Sequence, residues 1–212
     1  MSSPVGNCPQ CGAKIEFRWT GALQTTCEFC QSILIRGDID LQKVGEVADI
    51  PVDASPIQIN TEGIWNNKPF TVVGRIIYEH DLGVWNEWHL LFSDNSSGWL
   101  SDAQLEWAIT FQHNQTMSAA EQYRVSVGQR FNWNGVDYEV TSRTMAKYRG
   151  VEGQLPFVYW NKDKVQFIDL RTQGMEFATL DFSEDPGLIF LGRFVEFEQL
   201  QLKNLKQFEG WF

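Results

Sequence analysis

The sequence predicts a mainly β protein: a small N-terminal unit organised by cysteines and a larger antiparallel β-barrel or sandwich domain. All four cysteines lie within the first thirty residues, as two Cys-x-x-Cys pairs. The rest of the chain alternates short β-branched and aromatic stretches with turn-forming residues, which is typical of barrels and sandwiches. The 212 residues are 43% hydrophobic and 21% charged, a balance that indicates a folded globular chain.

The N-terminal unit is defined by its four cysteines, Cys8, Cys11, Cys27 and Cys30. Fifteen residues separate the two pairs, and two such turns can bring four sulfur atoms onto one tetrahedral zinc ion. Gly12 follows the first pair, where the chain commonly needs a positive φ. Residues 7–36 therefore resemble a zinc ribbon, and the four cysteines are the predicted ligands of one Zn²⁺ ion. Two disulfides, or a redox-active pair, are the alternatives, and the lack of a visible export signal favours zinc.

The predicted zinc ion is structural, because four thiolates leave no open position for water or substrate. The ribbon is expected to contain a hairpin, residues 14–19 and 22–26 around Thr20-Gly21, and a third strand over residues 32–35. A unit below about 40 residues buries too little surface to fold alone. Zinc binding, worth about 10–16 kcal/mol, is expected to supply the missing stability.

Changes in composition divide the chain into four parts. Residues 1–37 form the zinc ribbon, and residues 38–62 form a connector that packs on the next domain and contains a short strand at 57–60. Residues 63–206 form the all-β domain. Residues 207–212 form an aromatic C-terminal tail, which either folds back on its own domain, as we favour, or anchors a partner.

The larger domain is predicted to consist of short strands separated by turns. Strands are expected at 70–79, 84–93, 98–100, 105–112, 131–133, 136–143, 165–170, 177–182 and 194–197. One short helix is expected at 118–124, with Ser118 and Glu121 as a capping box. A faint similarity between residues 70–79 and 131–139 indicates two related β-units, with chance similarity as the alternative.

The candidate ligand site consists of Trp85, Glu87, His89 and Trp99. Alternate residues of a strand share a face, so Trp85, Glu87 and His89 lie opposite the predicted core residues Trp88 and Leu90. Glu87 and His89 are about 7 Å apart along the strand and form a candidate acid–base pair. We favour the alternative, a partly wet sheet face with a solvated Glu87–His89 pair, because the sequence offers no third catalytic partner. No catalytic residue is therefore predicted.

Two aspartates interrupt the apolar alternation of the second half of the chain. Asp169 and Asp181 each follow a run of mostly apolar residues. A site built from paired carboxylates is one interpretation. We favour positions at strand ends and on solvated faces, because charged residues are seldom buried without partners.

The charge balance opposes nucleic-acid binding. The formal net charge is −10, and residues 1–37 contribute only +1 to it. Proteins that grip phosphates need a cationic surface. No apolar run approaches the roughly 20 residues of a bilayer span, so direct membrane insertion is not expected. Because no secretory signal is visible, we expect a cytoplasmic protein.

Several motifs of the larger domain resemble a bacterial family, domain of unknown function 4178. The matching segments are Val73-Gly74-Arg75-Ile76, Trp85-Asn86-Glu87-Trp88, Gly98-Trp99-Leu100-Ser101, Phe177-Ala178-Thr179-Leu180-Asp181 and Leu191-Gly192-Arg193. The resemblance covers about residues 45–205 and implies a bacterial protein without assigned enzymatic activity. It also implies an accessory component encoded beside membrane-stress proteins of the phage-shock A type, ion-channel-like proteins and polyamine-biosynthesis enzymes.

Three functions remain as hypotheses. We favour a non-enzymatic adaptor in a membrane-stress or envelope-associated system, because a closed zinc site, acidic charge and surplus aromatic residues suit protein partners, including membrane-associated ones. The second is a binder or enzyme for a small cation such as a polyamine, using Trp85, Glu87 and His89. The third is nucleic-acid binding through the ribbon, which the charge opposes. The chain has no nucleophile elbow, phosphate-binding glycine loop or dinucleotide fingerprint.

Overall fold

Fifteen β-strands form the described part of the chain in the computed structural model, which describes residues 5–37, 40–47, 55–158 and 164–208. In chain order the strands are β1 (Val5–Asn7), β2 (Lys14–Glu16), β3 (Gln24–Thr26), β4 (Ser32–Arg36), β5 (Leu41–Glu46), β6 (Glu62–Trp65), β7 (Lys68–His80), β8 (Gly83–Phe92), β9 (Ser97–Ala103), β10 (Glu106–Met117), β11 (Arg130–Trp133), β12 (Val136–Leu155), β13 (Val165–Arg171), β14 (Glu176–Asp181) and β15 (Gly187–Val195). One short α-helix, α1 (Ala119–Gln122), and a 3-10 helix (Phe197–Leu200) accompany them. The protein is mainly β, as predicted.

Eight of these strands close into a barrel. Their order around the wall is β12-β13-β14-β15-β10-β9-β8-β7, and β7 pairs with β12 to complete the ring. All eight pairings are antiparallel. Closure leaves no free strand edge within the wall itself. The predicted antiparallel β-domain is confirmed, in its barrel form.

The barrel consists of two units with the same strand order. Strands β6–β10 form the first unit and β11–β15 the second, and in each a short hairpin leads into a four-stranded meander. Both hairpins turn where residues of positive φ follow a tryptophan, at Asn66-Asn67 and at Asn134-Gly135. The topology supports two related β-units. The predicted alignment is wrong, because residues 70–79 lie within β7 whereas residues 131–139 span the β11–β12 hairpin.

The N-terminal segment differs from the predicted ribbon in its pairing. Strand β2 pairs with β1, whereas β3 pairs with β4, and β4 pairs with β5. The predicted hairpin between residues 14–19 and 22–26 is wrong, because the end of β12 occupies the other edge of β3 through Gln154 and Leu155. The predicted third strand at 32–35 is present as β4, and its sheet continues beyond residue 37 into β5.

Four strands of the barrel extend well beyond their predicted limits: β9, β10, β12 and β15, of which β12 and β15 differ most. Strand β12 continues from the predicted 136–143 to Leu155, because bulges after Val140 and Tyr148 bend it so that it borders β13, β7 and β3. The strand predicted at 194–197 is β15, which begins at Gly187. Glycines and charged residues obscure the β pattern in β12 and β15.

The connector contains no strand at the predicted position 57–60. Ile57 is instead fully buried against the outside of the barrel, where it packs with Trp88 and Leu200. The predicted helix is shorter than expected, and the Glu121 carboxylate accepts hydrogen bonds from the backbone N–H and the hydroxyl of Ser118. Residues 48–54 of the connector and 209–212 of the predicted tail lie outside the described residues. No helix in the described part of the chain is long and apolar enough to cross a membrane.

Much of the barrel wall is buried on both faces, although the outward side chains of β12 from Thr141 to Arg149 are exposed. The interior holds one cluster that includes Tyr78, Trp99 and Phe167. The outer face of the first unit is covered by residues 55–59 and 197–205, and the outer face of the second unit is covered by β11 and Val125. On β8 the outward side chains from Asn86 to Phe92 are therefore buried as well, whereas Val84 at the start of the strand is exposed. The candidate ligand site on β8 therefore lies inside the barrel and not on a solvent-facing sheet.

Glycines allow close backbone contact where the two units join. A Cβ atom on Gly192 would lie 1.8 Å from the carbonyl oxygen of Ile109, at the β10–β15 junction. A Cβ atom on Gly74 would lie 2.1 Å from the carbonyl oxygen of Gln154, at the β7–β12 junction. Only glycine fits at such distances, since the obstructing atoms belong to the backbone.

Candidate functional site

The four cysteines come together at two tight turns of the N-terminal segment, residues 5–37, which we call the ribbon. Cys8 and Cys27 follow β1 and β3 directly, and Cys11 and Cys30 end the two turns. Their sulfur atoms all lie within 4.8 Å of one another. The Sγ–Sγ distance is 3.6 Å between Cys8 and Cys30 and 3.7 Å between Cys11 and Cys27. These distances match the roughly 3.8 Å edge of a sulfur tetrahedron around an ion with metal–sulfur bonds of about 2.3 Å.

The local backbone explains why this sequence brings the sulfurs together. Gly12 and Gln31 each follow the second cysteine of a pair, with φ of 77° and 57°. The N–H of Gly12 donates to the carbonyl of Cys8, and the N–H of Gln31 donates to the carbonyl of Cys27, so each turn closes on itself. The glycine was predicted for this role, whereas Gln31 adopts the same left-handed conformation without such a signal.

The donor set fits a metal ion better than a pair of disulfides. The Sγ–Sγ distances greatly exceed the bond length of about 2.05 Å in a disulfide. The four cysteines can therefore hold a metal ion, and four sulfur ligands would fill its coordination sphere.

The predicted ligand face of β8 points into the barrel. The ring of Trp85 lies 5.4 Å from that of Phe167 on β13, across the interior. Trp88, on the other face of β8, is fully buried under the covering segments outside. The predicted solvated Glu87–His89 face is wrong, because the strand belongs to a closed barrel whose outer surface is also covered.

A cavity of ≈ 180 Å³ occupies the interior of the barrel beside this face. His80 and Gln104 line it from the β7–β8 and β9–β10 turns, so it opens at that end of the barrel. Its aromatic wall consists of Trp85, Phe167, Phe177 and Phe194. Its polar wall includes Glu87, Ser101, Thr110, Thr144, Asp169 and Thr179. Arg171 also lines the cavity, where its guanidinium pairs with the Glu106 carboxylate at 2.7 Å. The cavity therefore combines ring faces with carboxyl groups, of which Glu106 already has a cationic partner.

The Glu87 carboxyl group is the most perturbed acid in this wall. Its Oε1 atom accepts hydrogen bonds from the indole N–H of Trp85 at 3.0 Å and the hydroxyl of Ser101 at 3.1 Å. Burial raises the pKa of Glu87 to about 8, and the nearby carboxylates Asp169 and Asp181 act in the same direction. Near neutral pH, Glu87 is therefore mostly protonated until an opposite charge approaches it.

Asp169 and Asp181 also belong to the barrel interior, which corrects the solvated positions predicted for them. Asp169 lines the main cavity, and Asp181 lines a smaller void of ≈ 40 Å³ beside it. Burial raises the pKa of Asp169, although its carboxyl group accepts a hydrogen bond from Ser142 at 2.9 Å. The signal that could have found them is their position on the same strand face as Phe167 and Phe177, respectively.

His89 and Trp99 lie on the same interior face as Glu87, and their rings are 5.0 Å apart. His89 is fully buried, and its Nδ1 atom lies 3.1 Å from the carbonyl oxygen of Gln154. Because a carbonyl only accepts, Nδ1 carries the hydrogen. Burial lowers the pKa of His89 to about 4, so the ring is neutral. The candidate acid–base pair is not formed, since Glu87 bonds to Trp85 and Ser101 instead.

The barrel carries the similarity of this chain to known sequences. The sequence profile of a family described as Domain of unknown function (DUF4178) matches residues 58–197. This segment contains every strand from β6 to β15 and therefore the whole cavity. No curated protein and no solved structure matches the chain. Because the matched segment exceeds half of the 212 residues, the chain belongs to the DUF4178 family.

Proposed function

We propose that the barrel cavity binds a small organic cation of the amine type. The observation that carries this proposal is the Glu87 carboxyl group, held inside the cavity and bonded to the indole of Trp85. A carboxylate supplies the opposite charge, and aromatic faces attract alkylammonium groups through their quadrupole. Asp169, on the same cavity wall, supplies a second acidic group. The sequence suggested this function as an alternative, and the cavity now favours it.

The composition of the wall favours an organic cation over a metal ion. A hard ion such as Ca²⁺ takes roughly six to eight oxygen ligands at about 2.3–2.6 Å. Over the described ranges, only the cysteine cluster brings three or more His, Cys, Asp or Glu ligand atoms close enough to share an ion. The cavity of ≈ 180 Å³ is also smaller than the roughly 300–1,000 Å³ of drug-sized sites, and suits a short amine.

Titration calorimetry with 1,4-diaminobutane at pH 8.5 tests the proposal. We expect wild-type protein to bind it and the Glu87→Gln variant to bind at least about tenfold more weakly, because a charged hydrogen bond is worth about 1.5–3 kcal/mol. Glu139→Gln is the matched control, since this exposed carboxylate on β12 pairs with Arg130 outside the cavity. The proposal is wrong if wild type releases no heat, or if Glu87→Gln binds as tightly as wild type.

Zinc is the ion proposed for the cysteine cluster. Four sulfur donors with tetrahedral spacing are the usual ligand set of structural zinc. Such an ion has no vacant position for substrate, so its contribution is to the folding of the ribbon.

An adaptor role is the second candidate, and an exposed aromatic residue on the ribbon favours it. Phe29, between Cys27 and Cys30, is 76% exposed on a turn that a bound metal would hold rigid. Rigid exposed aromatic side chains are typical anchors of protein interfaces. In this role the chain would be a non-enzymatic accessory protein of the cytoplasm, with a partner from an envelope or membrane-stress system.

Affinity capture with two matched variants tests the adaptor role. A stoichiometric partner retained by wild type is expected to be lost with Phe29→Ser and kept with Tyr123→Ser, which removes an equally exposed ring (79%) beside α1. A hot-spot aromatic residue is worth at least about 2 kcal/mol, so the loss should exceed tenfold in affinity. Equal recovery by both variants, or no stoichiometric partner at all, argues against the role.

A further inference from the structure

We infer that metal binding by the four cysteines controls access to the inner end of the barrel. The ribbon covers the end of the barrel opposite the cavity mouth, and the bound metal keeps the ribbon in this position. Loss of the metal would expose His89 and open the interior from that side. The effect on ligand affinity rests on the proposed function, whereas the opening itself does not.

A row of aromatic rings joins the ribbon to the barrel interior. The ring of Trp19, from the segment between the two cysteine pairs, lies 5.5 Å from His89. His89 in turn contacts Trp99 at 5.0 Å, and Trp99 stacks on Phe157 at 5.7 Å. Trp19 is therefore the residue of the ribbon that covers His89.

Gln154 fixes the ribbon against the end of β12. Its side chain accepts a hydrogen bond from the backbone N–H of Arg18 at 2.8 Å and donates to the carbonyl of Glu16 at 2.8 Å. Its backbone pairs with Thr25 in β3. The chain on both sides of Trp19 is thus attached to one residue of the barrel wall, and Gln154 itself is only 7% exposed.

Apolar side chains of the ribbon and of β5 complete the inner end of the barrel core. Ile33 of β4 belongs to the same buried cluster as Tyr78 and Phe167, and Val44 and Val47 pack against that cluster. The sheet formed by β3, β4 and β5 therefore acts as the inner wall of the lumen. Displacing this sheet would expose the interior residues that it covers.

The closed arrangement depends on the metal because the ribbon has little core of its own. Among the described residues, its separate cluster contains six buried side chains, of which two are the proposed ligands Cys8 and Cys27. Strands β3, β4 and β5 join the barrel sheet through β12, but β1, β2 and the two cysteine turns lie outside it, and a segment this small needs a metal to hold its fold. Nε2 of His89 and Nε1 of Trp19 are buried without a hydrogen-bond partner in the described part of the structure. Both atoms would gain water on opening, which favours the open state once the metal is gone.

Histidine modification by diethylpyrocarbonate, read out by mass spectrometry, tests the inference on the full-length chain. Zinc content is measured before and after chelation, and each sample is labelled at pH 7. We expect His89 to be protected in the zinc-loaded protein, to be modified at least tenfold faster after zinc removal, and to regain protection when zinc is restored. The partly exposed His80 and His113 are internal controls whose labelling should change little. If His89 stays protected in metal-free protein, the inference is wrong.

The Trp19→Ala variant tests the covering role of Trp19 separately from the role of the metal. This variant should keep its zinc and nevertheless allow fast modification of His89, because the covering ring is gone. Protection of His89 in a zinc-loaded Trp19→Ala variant would overturn the role of Trp19 as the cover. A parallel titration with 1,4-diaminobutane, with and without zinc, should show an altered affinity. If no heat appears in either state, the proposed ligand is wrong, while the labelling result still decides whether the metal controls opening.

Discussion

Binding of 1,4-diaminobutane is expected to strengthen about 50-fold between pH 6 and pH 8 and to change little above pH 8.5. The reason is the Glu87 carboxyl group, because burial raises its pKa to about 8. A cation is attracted by the carboxylate and not by the neutral acid, so below pH 8 binding must first remove a proton. Each pH unit below the pKa therefore costs about a factor of ten in affinity. The amine itself stays protonated throughout, since alkylammonium groups titrate near pH 10.4.

Calorimetry across this pH range in two buffers of different ionisation heat measures the linked proton directly. About one proton should be released per ligand at pH 6.5, and none should be released by Glu87→Gln, whose affinity should be nearly flat with pH. Glu139→Gln should behave as wild type, because this exposed carboxylate lies outside the cavity. An affinity that is independent of pH in wild type, or that falls as pH rises, would rule out Glu87 as the counter-charge.

The raised pKa of Glu87 also makes the stability of the fold depend on pH. Between pH 4.5, the ordinary pKa of a glutamate, and pH 8, the native state keeps the Glu87 proton that the unfolded chain has released. The contribution of Glu87 to stability is therefore complete below about pH 4.5 and is lost as pH rises to 8. Glu87→Gln removes this dependence, because an amide does not titrate.

Arg75→Ala is expected to lower the free energy of unfolding by about 2–5 kcal/mol, because it leaves the buried amide of Asn86 without its donor and a gap where a large buried side chain lay. Arg75 is only 2% exposed, and it donates two hydrogen bonds to Asn86, at 2.7 and 3.0 Å. Arg75 also donates a hydrogen bond to Glu152 at 2.8 Å, and its guanidinium carbon lies 4.5 Å from the ring centroid of Trp88. Removing the guanidinium would leave the buried amide of Asn86 and the partly buried carboxylate of Glu152 without their donor. It would also leave a gap beside the indole ring of Trp88.

Urea unfolding followed by fluorescence and circular dichroism measures this loss. Arg130→Ala is the matched control, because Arg130 forms the same kind of ion pair with Glu139 but is 73% exposed, and such pairs are worth about 0–1 kcal/mol. Arg75→Lys should lie between the two, since an ammonium keeps the charge and loses the planar fork. If Arg75→Ala and Arg130→Ala were equally stable, the buried contacts of Arg75 would contribute nothing to the free energy of unfolding.

The cysteine cluster was predictable from the sequence, whereas most of the cavity was not. The spacing of Cys8, Cys11, Cys27 and Cys30 is a local pattern, and each tight turn is closed by neighbouring residues, so few long-range contacts are needed to place the sulfurs. The environment of Glu87 depends on what covers each face of β8. A strand pattern shows that residues 85, 87 and 89 share a face, but it does not show whether that face meets water, another sheet or a barrel interior.

By itself, the sequence determined the β class, the approximate positions of most barrel strands, a cluster of four cysteines that can hold a metal ion, and the shared face of Trp85, Glu87 and His89. These features follow from spacing and alternation, which act over a few residues. Only the tertiary structure decided that the barrel closes, that Asp169 and Asp181 point into it, and that Trp19 of the ribbon covers His89. Each of these depends on contacts between residues far apart in the chain, and burial by such contacts, rather than local pattern, raises the pKa values of Glu87 and Asp169 in the cavity.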